Sequence, residues 1–120
     1  MSHATLTELS GKHCVPCEGG VPPLTADAVR RYLEALPEWQ LTADGRRIRR
    51  QWRVRDFRAG LDFFERVGQL AEAEGHHPDL HLEGYRQVTI EIWTHAIGGL
   101  SENDFILAAR IDQLPVALKK

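Results

Sequence analysis

Residues 56–93 read DFRAGLDFFERVGQLAEAEGHHPDLHLEGYRQVTIEIW. Asp56 has the short side-chain oxygen that caps a helix N-terminus. After it, Phe57, Leu61, Phe64, Val67 and Ala71, joined by Leu70, recur every three to four residues. That spacing predicts a helix with one apolar stripe, which must lie on a sheet. Gly75 sits where a left-handed residue ends a helix, and Pro78 forbids continuation, so the helix should stop just before His76. Leu80–Leu82 predicts a short strand, Glu83-Gly84 a turn, and Arg86–Trp93 the clearest strand of the chain. In that strand Val88, Ile90 and Ile92 share one face, while Gln87, Thr89, Glu91 and Trp93 take the other.

The flanks extend this pattern. Upstream, Thr25 is a helix N-cap with Asp27 in the first turn, Val29, Leu33 and Leu36 form a helical stripe, and Pro37 ends it. Trp39 and Leu41 alternate with Glu38 and Gln40 as a short strand. Ala43-Asp44-Gly45 closes a hairpin onto a second strand, with Ile48, Trp52 and Val54 on one face and Arg47, Arg49, Gln51 and Arg53 on the other. Downstream, Ser101 to Asp104 reads as a capping box before a helix from Glu102 to about Leu114, limited by Pro115. The order is α-β-β-α-β-β-α. Strands in hairpin pairs predict an α+β two-layer sandwich, a four-stranded antiparallel sheet with three helices on one face. Residues 1–23, rich in Gly and Pro and without an apolar period, are expected to be an irregular N-terminal tail before a single domain over 24–120.

The 120 residues carry a formal net charge of −2, with 42% hydrophobic and 27% charged residues, ordinary for a globular chain. No apolar run approaches the roughly 20 residues that span a bilayer. No secretory h-region appears at Met1–Gly11, and two cysteines cannot staple a disulfide scaffold, so the expected setting is cytoplasmic, without membrane attachment. A domain this small buries a modest core, which favours a homo-oligomer.

Five clusters bear on chemistry. His76-His77-Pro78 lies at a helix breakpoint, and histidine exchanges protons near neutral pH without a perturbed pKa. The alternative is a surface or capping role, and if both residues are extended their rings point to opposite sides. His95 follows the best strand, where catalytic groups and hydrogen-bonded edge histidines both occur. Asp104 serves as a helix cap or as a carboxylate that orients an imidazole. His13, Cys14 and Cys17 form an H-C-x-x-C cluster with no second pair, and Pro78 spoils the spacing of His77 and His81, so no metal site is expected. Arg46, Arg47, Arg49, Arg50, Arg53, Arg55 and Arg58 crowd thirteen positions. Such a face holds phosphates or, more often, is solvated or paired with acids such as Glu91. Neither a Gly-rich phosphate loop nor a G-x-S-x-G motif is present.

Glu72, three spacers, His76-His77-Pro78, Tyr85, His95 and Asp104 together resemble the signature of the pterin-4a-carbinolamine dehydratase family. The likeness spans residues 24–118 and includes Trp39, Asp56-Phe57, Thr94-His95 and Gly99-Leu100-Ser101. Leu80 departs from the tryptophan of many animal members. The resemblance implies dehydration of a 4a-hydroxytetrahydropterin to the quinonoid dihydropterin, within tetrahydropterin recycling for an aromatic amino acid hydroxylase. It implies acid–base catalysis by His76, His77 and His95, with substrate binding by His77, Glu72 and Asp104. It requires no cofactor or metal, and it implies a homodimer or homotetramer. The alternative is a non-catalytic module, either a protein dimerisation partner or a nucleic-acid contact through the basic sheet face, although nucleic acid is not the expected partner. Because the family also supplies a dimerisation partner of a homeodomain factor in animals, the two readings share one fold.

Overall fold

The computed structural model describes residues 6–14 and 22–120. It contains α1 (Leu6–Ser10), α2 (Ala26–Glu34), β1 (Gln40–Leu41), β2 (Ile48–Arg53), α3 (Phe57–Glu74), β3 (Asp79–Glu83), β4 (Gln87–Ile92), a 3₁₀ turn (His95–Ile97) and α4 (Glu102–Asp112). The four strands form one antiparallel sheet in the order β1-β2-β4-β3. The expected α+β sandwich is therefore present. The two hairpins meet at its centre, where β2 pairs with β4 from Ile48↔Ile92 to Arg53↔Gln87.

The period-two pattern sets the register. Ile48, Trp52, Val88, Ile90 and Ile92 face the helices and are buried with Val29, Phe63, Val67 and Phe105 in one core. Thr25 caps α2 by accepting the Ala28 N–H at 3.2 Å, and Asp56 caps α3 by accepting the Ala59 N–H at 2.8 Å. The same alternation puts Arg50 on the core face, which the run of arginines conceals. There its guanidinium donates to Asp112 at 2.7 Å and lies 4.6 Å from the Trp52 ring, while Trp39 Nε1–H also donates to Asp112 at 2.9 Å.

Two expectations are corrected. The stripe of α3 is turned: Ala59, Gly60, Phe63, Val67 and Ala71 are buried, whereas Phe57 and Leu61 are 51% and 39% exposed. A helix approaches a sheet most closely through its smallest side chains. A Cβ on Gly60 would stand 3.1 Å from Leu82 Cδ1 and 3.5 Å from Val54 Cγ2, so this glycine marks the contact line. The bulky residues that dominate the sequence pattern lie beside it. The lead-in expected to be irregular holds α1, whose Leu9 is fully buried in the core. Five residues with one buried side chain are too short to show a period. Because α1 covers a side of α4 that the sheet leaves free, α4 is buried from Asn103 through Ala109.

Phe63→Ala should cost about 3–5 kcal/mol. Arg53→Ala, an exposed position on the open face, should stay within about 0.5 kcal/mol. Urea unfolding of the two variants measures the difference, and comparable losses would mean that the buried face of α3 is misassigned.

Candidate active site

The helix end at Gly75 places the first two candidate histidines. Gly75 is left-handed (φ 64°, ψ 28°); its N–H bonds the Glu72 carbonyl and the His76 N–H bonds the Ala71 carbonyl at 3.2 Å. This closing turn satisfies the last helical carbonyls and reverses the chain. His76 is thereby aimed inward, its side chain 12% exposed. His77 stands outward at 61%, with Nε2 3.6 Å from a Glu72 carboxylate oxygen.

A buried carboxylate holds His76. Asp104, at 0% exposure, lies 2.6 Å from His76 Nε2 through Oδ1. Its Oδ2 accepts the Ser101 N–H at 2.8 Å and the Thr94 hydroxyl at 2.9 Å. Because Thr94 spends its hydrogen on Asp104, the 2.7 Å contact between Thr94 and Ser101 hydroxyls is donated by Ser101. Both roles considered for Asp104 are thus filled by one side chain. It caps α4 through Oδ2 and orients an imidazole through Oδ1. Expected among the substrate-binding residues, it sits behind His76, not at the pocket surface.

His95 arrives from the end of β4. Its exposed ring lies 4.2 Å from the Trp93 ring at 39°, and the Arg47 guanidinium is 4.5 Å from Trp93. Arg47 is held in turn by Asp79 and Glu91, each at 3.2 Å, and Arg49 also meets Glu91 at 3.6 Å. Two arginines of the run are therefore paired with acids across the sheet.

Glu72, His76, His77 and His95 line one open cavity of about 730 Å³, together with Trp93 and Cys14. Glu72 and His77 also border a neighbouring groove of about 550 Å³ against Pro78 and Leu80. Opposite ring directions for His76 and His77 do not separate them, since a broad pocket spans both. Tyr85 is not brought there. It is left-handed (φ 55°) at the β3–β4 turn, the far end of β4 from Trp93. Among the described residues no group of three or more His, Cys, Asp or Glu side chains is arranged to hold a metal. Cys17 and its part of the H-C-x-x-C cluster lie outside the described residues. Sequence reasoning gave Trp93, Thr94 and Glu74 no role in this region. Trp93 and Thr94 were legible as neighbours of His95, but the partners of Glu74 lie 36 to 61 residues away.

Glu74 accepts from Arg110 at 2.6 Å and lies 3.1 Å from His13 Nδ1. Burial pushes its carboxyl up, but the His13 hydrogen bond and the Arg110 charge outweigh that and hold it below the ordinary value of 4.5. A carboxyl whose pKa is depressed on folding adds stability that is fully present above its unfolded value. The melting-temperature advantage of wild type over Glu74→Gln should thus be full above 4.5 and shrink as pH falls below it. An advantage that grew on acidification would contradict the assignment.

Comparison with known proteins identifies the family. The family described as pterin 4 alpha carbinolamine dehydratase matches residues 22–114. A pterin-4-alpha-carbinolamine dehydratase 2 of Arabidopsis thaliana, named as mitochondrial, is 52% identical over 93% of this chain, which spans 62% of that protein's length. A Chlorobaculum tepidum protein assigned by name to the same activity is 49% identical, over 91% of this chain and 99% of its own. A crystal structure from Brucella melitensis, titled transcriptional coactivator/pterin dehydratase, superposes with a TM-score of 0.70 at 28% identity, covering 75% of this chain and 95% of that one. With the match spanning nearly the whole sheet and its helices, the chain belongs to the pterin-4a-carbinolamine dehydratase family.

Proposed function

We propose that this protein dehydrates 4a-hydroxytetrahydropterins to quinonoid dihydropterins by histidine acid–base catalysis, in tetrahydropterin recycling. The observation that supports the reading is the convergence of His76, His77, His95 and Glu72 on one cavity. In the reaction the C4a–O bond breaks, the oxygen leaves as water after gaining a proton, N5 loses its proton, and a C4a–N5 double bond forms. Two groups that exchange protons near neutral pH suffice.

The hydrogen bonds around Asp104 suggest which histidine does which. A carboxylate accepts, so His76 donates through Nε2–H and its neutral ring keeps Nδ1 as the basic atom. His76 is then the base toward N5–H. His95, exposed and tilted against the Trp93 ring, delivers the proton to the leaving hydroxyl and recharges from water. His77 and Glu72 at the rim bind the pterin, and Asp104 acts through His76.

The reading places the reaction in the cytoplasm, in keeping with a free thiol at Cys14. No described helix is long and apolar enough to cross a membrane. An aromatic amino acid hydroxylase would generate the substrate. A homodimer or homotetramer is supported by the exposed apolar side chains Phe57, Leu61 and Leu80. The pairing of Arg47 and Arg49 with acids weighs against a phosphate-binding face.

Freshly generated 4a-hydroxytetrahydropterin, followed by ultraviolet absorbance, should lose water faster with the protein than without it. No acceleration by folded protein would move the weight to the binding-module reading. His76→Ala and His95→Ala should each lower kcat by about 10²–10⁴-fold while the fold survives. Asp104→Asn should lower kcat by about 10–100-fold, because the fixed tautomer of His76 is lost. Near-normal rates in both histidine variants would refute the acid–base assignment.

A further inference from the structure

The N-terminal segment reaches the same cavity from outside the matched family region, which begins at residue 22. Leu9 anchors it in the core, and Lys12 reaches Glu102 at 3.4 Å. Beyond them, His13 and Cys14 run against the end of α3. The side chain of Glu74, 6% exposed, gathers this segment. It accepts the Cys14 N–H at 3.4 Å through Oε1, the atom that also accepts from Arg110, while its Oε2 faces His13. Cys14 is half-buried, with its sulfur 3.6 Å from the Asn103 carbonyl, and it lines the cavity beside His76 and His95. Glu74 lines the same cavity, one residue before the Gly75 turn that aims His76.

We propose that Cys14 is a wall of the pterin pocket and that Glu74, braced by Arg110, is the positioning residue that fixes this wall and thereby sets how tightly the pterin is held. The inference rests on the pterin reading of the site. Its chemistry is binding, not proton transfer. Burial and the nearby carboxylates of Glu74 and Asp104 push the Cys14 thiol up to about 12, so the wall presents a neutral sulfur near neutral pH. A neutral, weakly hydrogen-bonding edge suits the flat face or rim of an uncharged heterocycle. Arg110 is itself engaged by Glu74 at 2.6 Å and lies 3.0 Å from His13 Nδ1.

The test uses the full chain, with 7,8-dihydropterin titrated by its fluorescence and the dehydration assay run in parallel. If wild type neither binds the dihydropterin nor speeds dehydration, the pterin reading falls and this inference with it. If wild type does both, the variants decide the wall alone. Glu74→Ala should raise Kd and KM by about tenfold with kcat within about twofold. Glu74→Gln keeps an acceptor oxygen for the Cys14 N–H and for Arg110, and should recover most of the lost affinity. Unchanged Kd in folded Glu74→Ala overturns the proposal. So does a fall in kcat with KM unchanged, which would place Glu74 behind His76 instead. Cys14→Phe tests the wall independently of Glu74, because the added ring enters the cavity. It should raise Kd by about tenfold while the melting temperature shows a folded chain, and an unchanged Kd overturns the proposal.

Discussion

Asp104 is the constraint on which the site depends. A carboxylate with no exposed surface is costly unless its oxygens are fully partnered. Here each partner comes from a different part of the fold: His76 from the turn after α3, Thr94 from the end of β4, and the Ser101 N–H from the start of α4. Satisfying the charge therefore locks three elements at one corner of the sandwich. The chain is irregular at this corner, with the left-handed Gly75 and Gly98 on either side of it. The side chains proposed for catalysis gather there because irregular backbone points them away from the core, and because Asp104 keeps that backbone from wandering.

The core supplies the rigidity behind this corner. Thr94 is fixed because β4 is the central strand beside β3, with Val88, Ile90 and Ile92 all fully buried. The turn of α3 is fixed because Gly60, Phe63 and Val67 hold the helix against the sheet. The apolar stripe from Ala59 to Ala71, about 18 Å long at the ~1.5 Å rise of a helix, thus determines where one imidazole stands. Arg50 and Asp112 do for the other end of α4 what Asp104 does for its start, tying the helix to β2 and to Trp39.

Much of this was readable in the chain. Caps at Thr25 and Asp56, the stop at Gly75 and the alternation of residues 87–92 are local signals, and each sits where the local chemistry requires it. What escaped the sequence depends on contacts between distant residues. Phe63 and Phe64 are adjacent, so the pattern of α3 allows two apolar phases, and the choice between them is made by the sheet through the small residues Ala59 and Gly60. The helix α1 matters because Leu9 finds a gap beside α4, a fact with no periodic trace. Within the site, the histidines announced themselves by spacing, as did Asp104 by its capping position. Glu74 looked like one more solvated acid on a helix, and only its approach to His13 and Arg110 distinguishes it.

The three histidines are held unequally, and the inequality follows the chemistry proposed for them. His76 is largely buried, with one ring nitrogen committed to Asp104, so its tautomer is set before any ligand arrives. His95 makes a ring contact with Trp93 but remains exposed, which leaves it free to exchange protons with solvent. The proposed acid–base pair calls for both kinds of group. Each turnover moves a proton onto the base and takes one from the acid, so the pair returns to its starting state when a proton passes back from base to acid, directly or by way of water. Two imidazoles buried as deeply as His76 would each be well oriented and slow to reset. Two as exposed as His95 would reset readily and be poorly aimed. One fixed and one open histidine across a broad pocket satisfy both requirements, and the asymmetry traces to a single buried carboxylate that has room for only one of them.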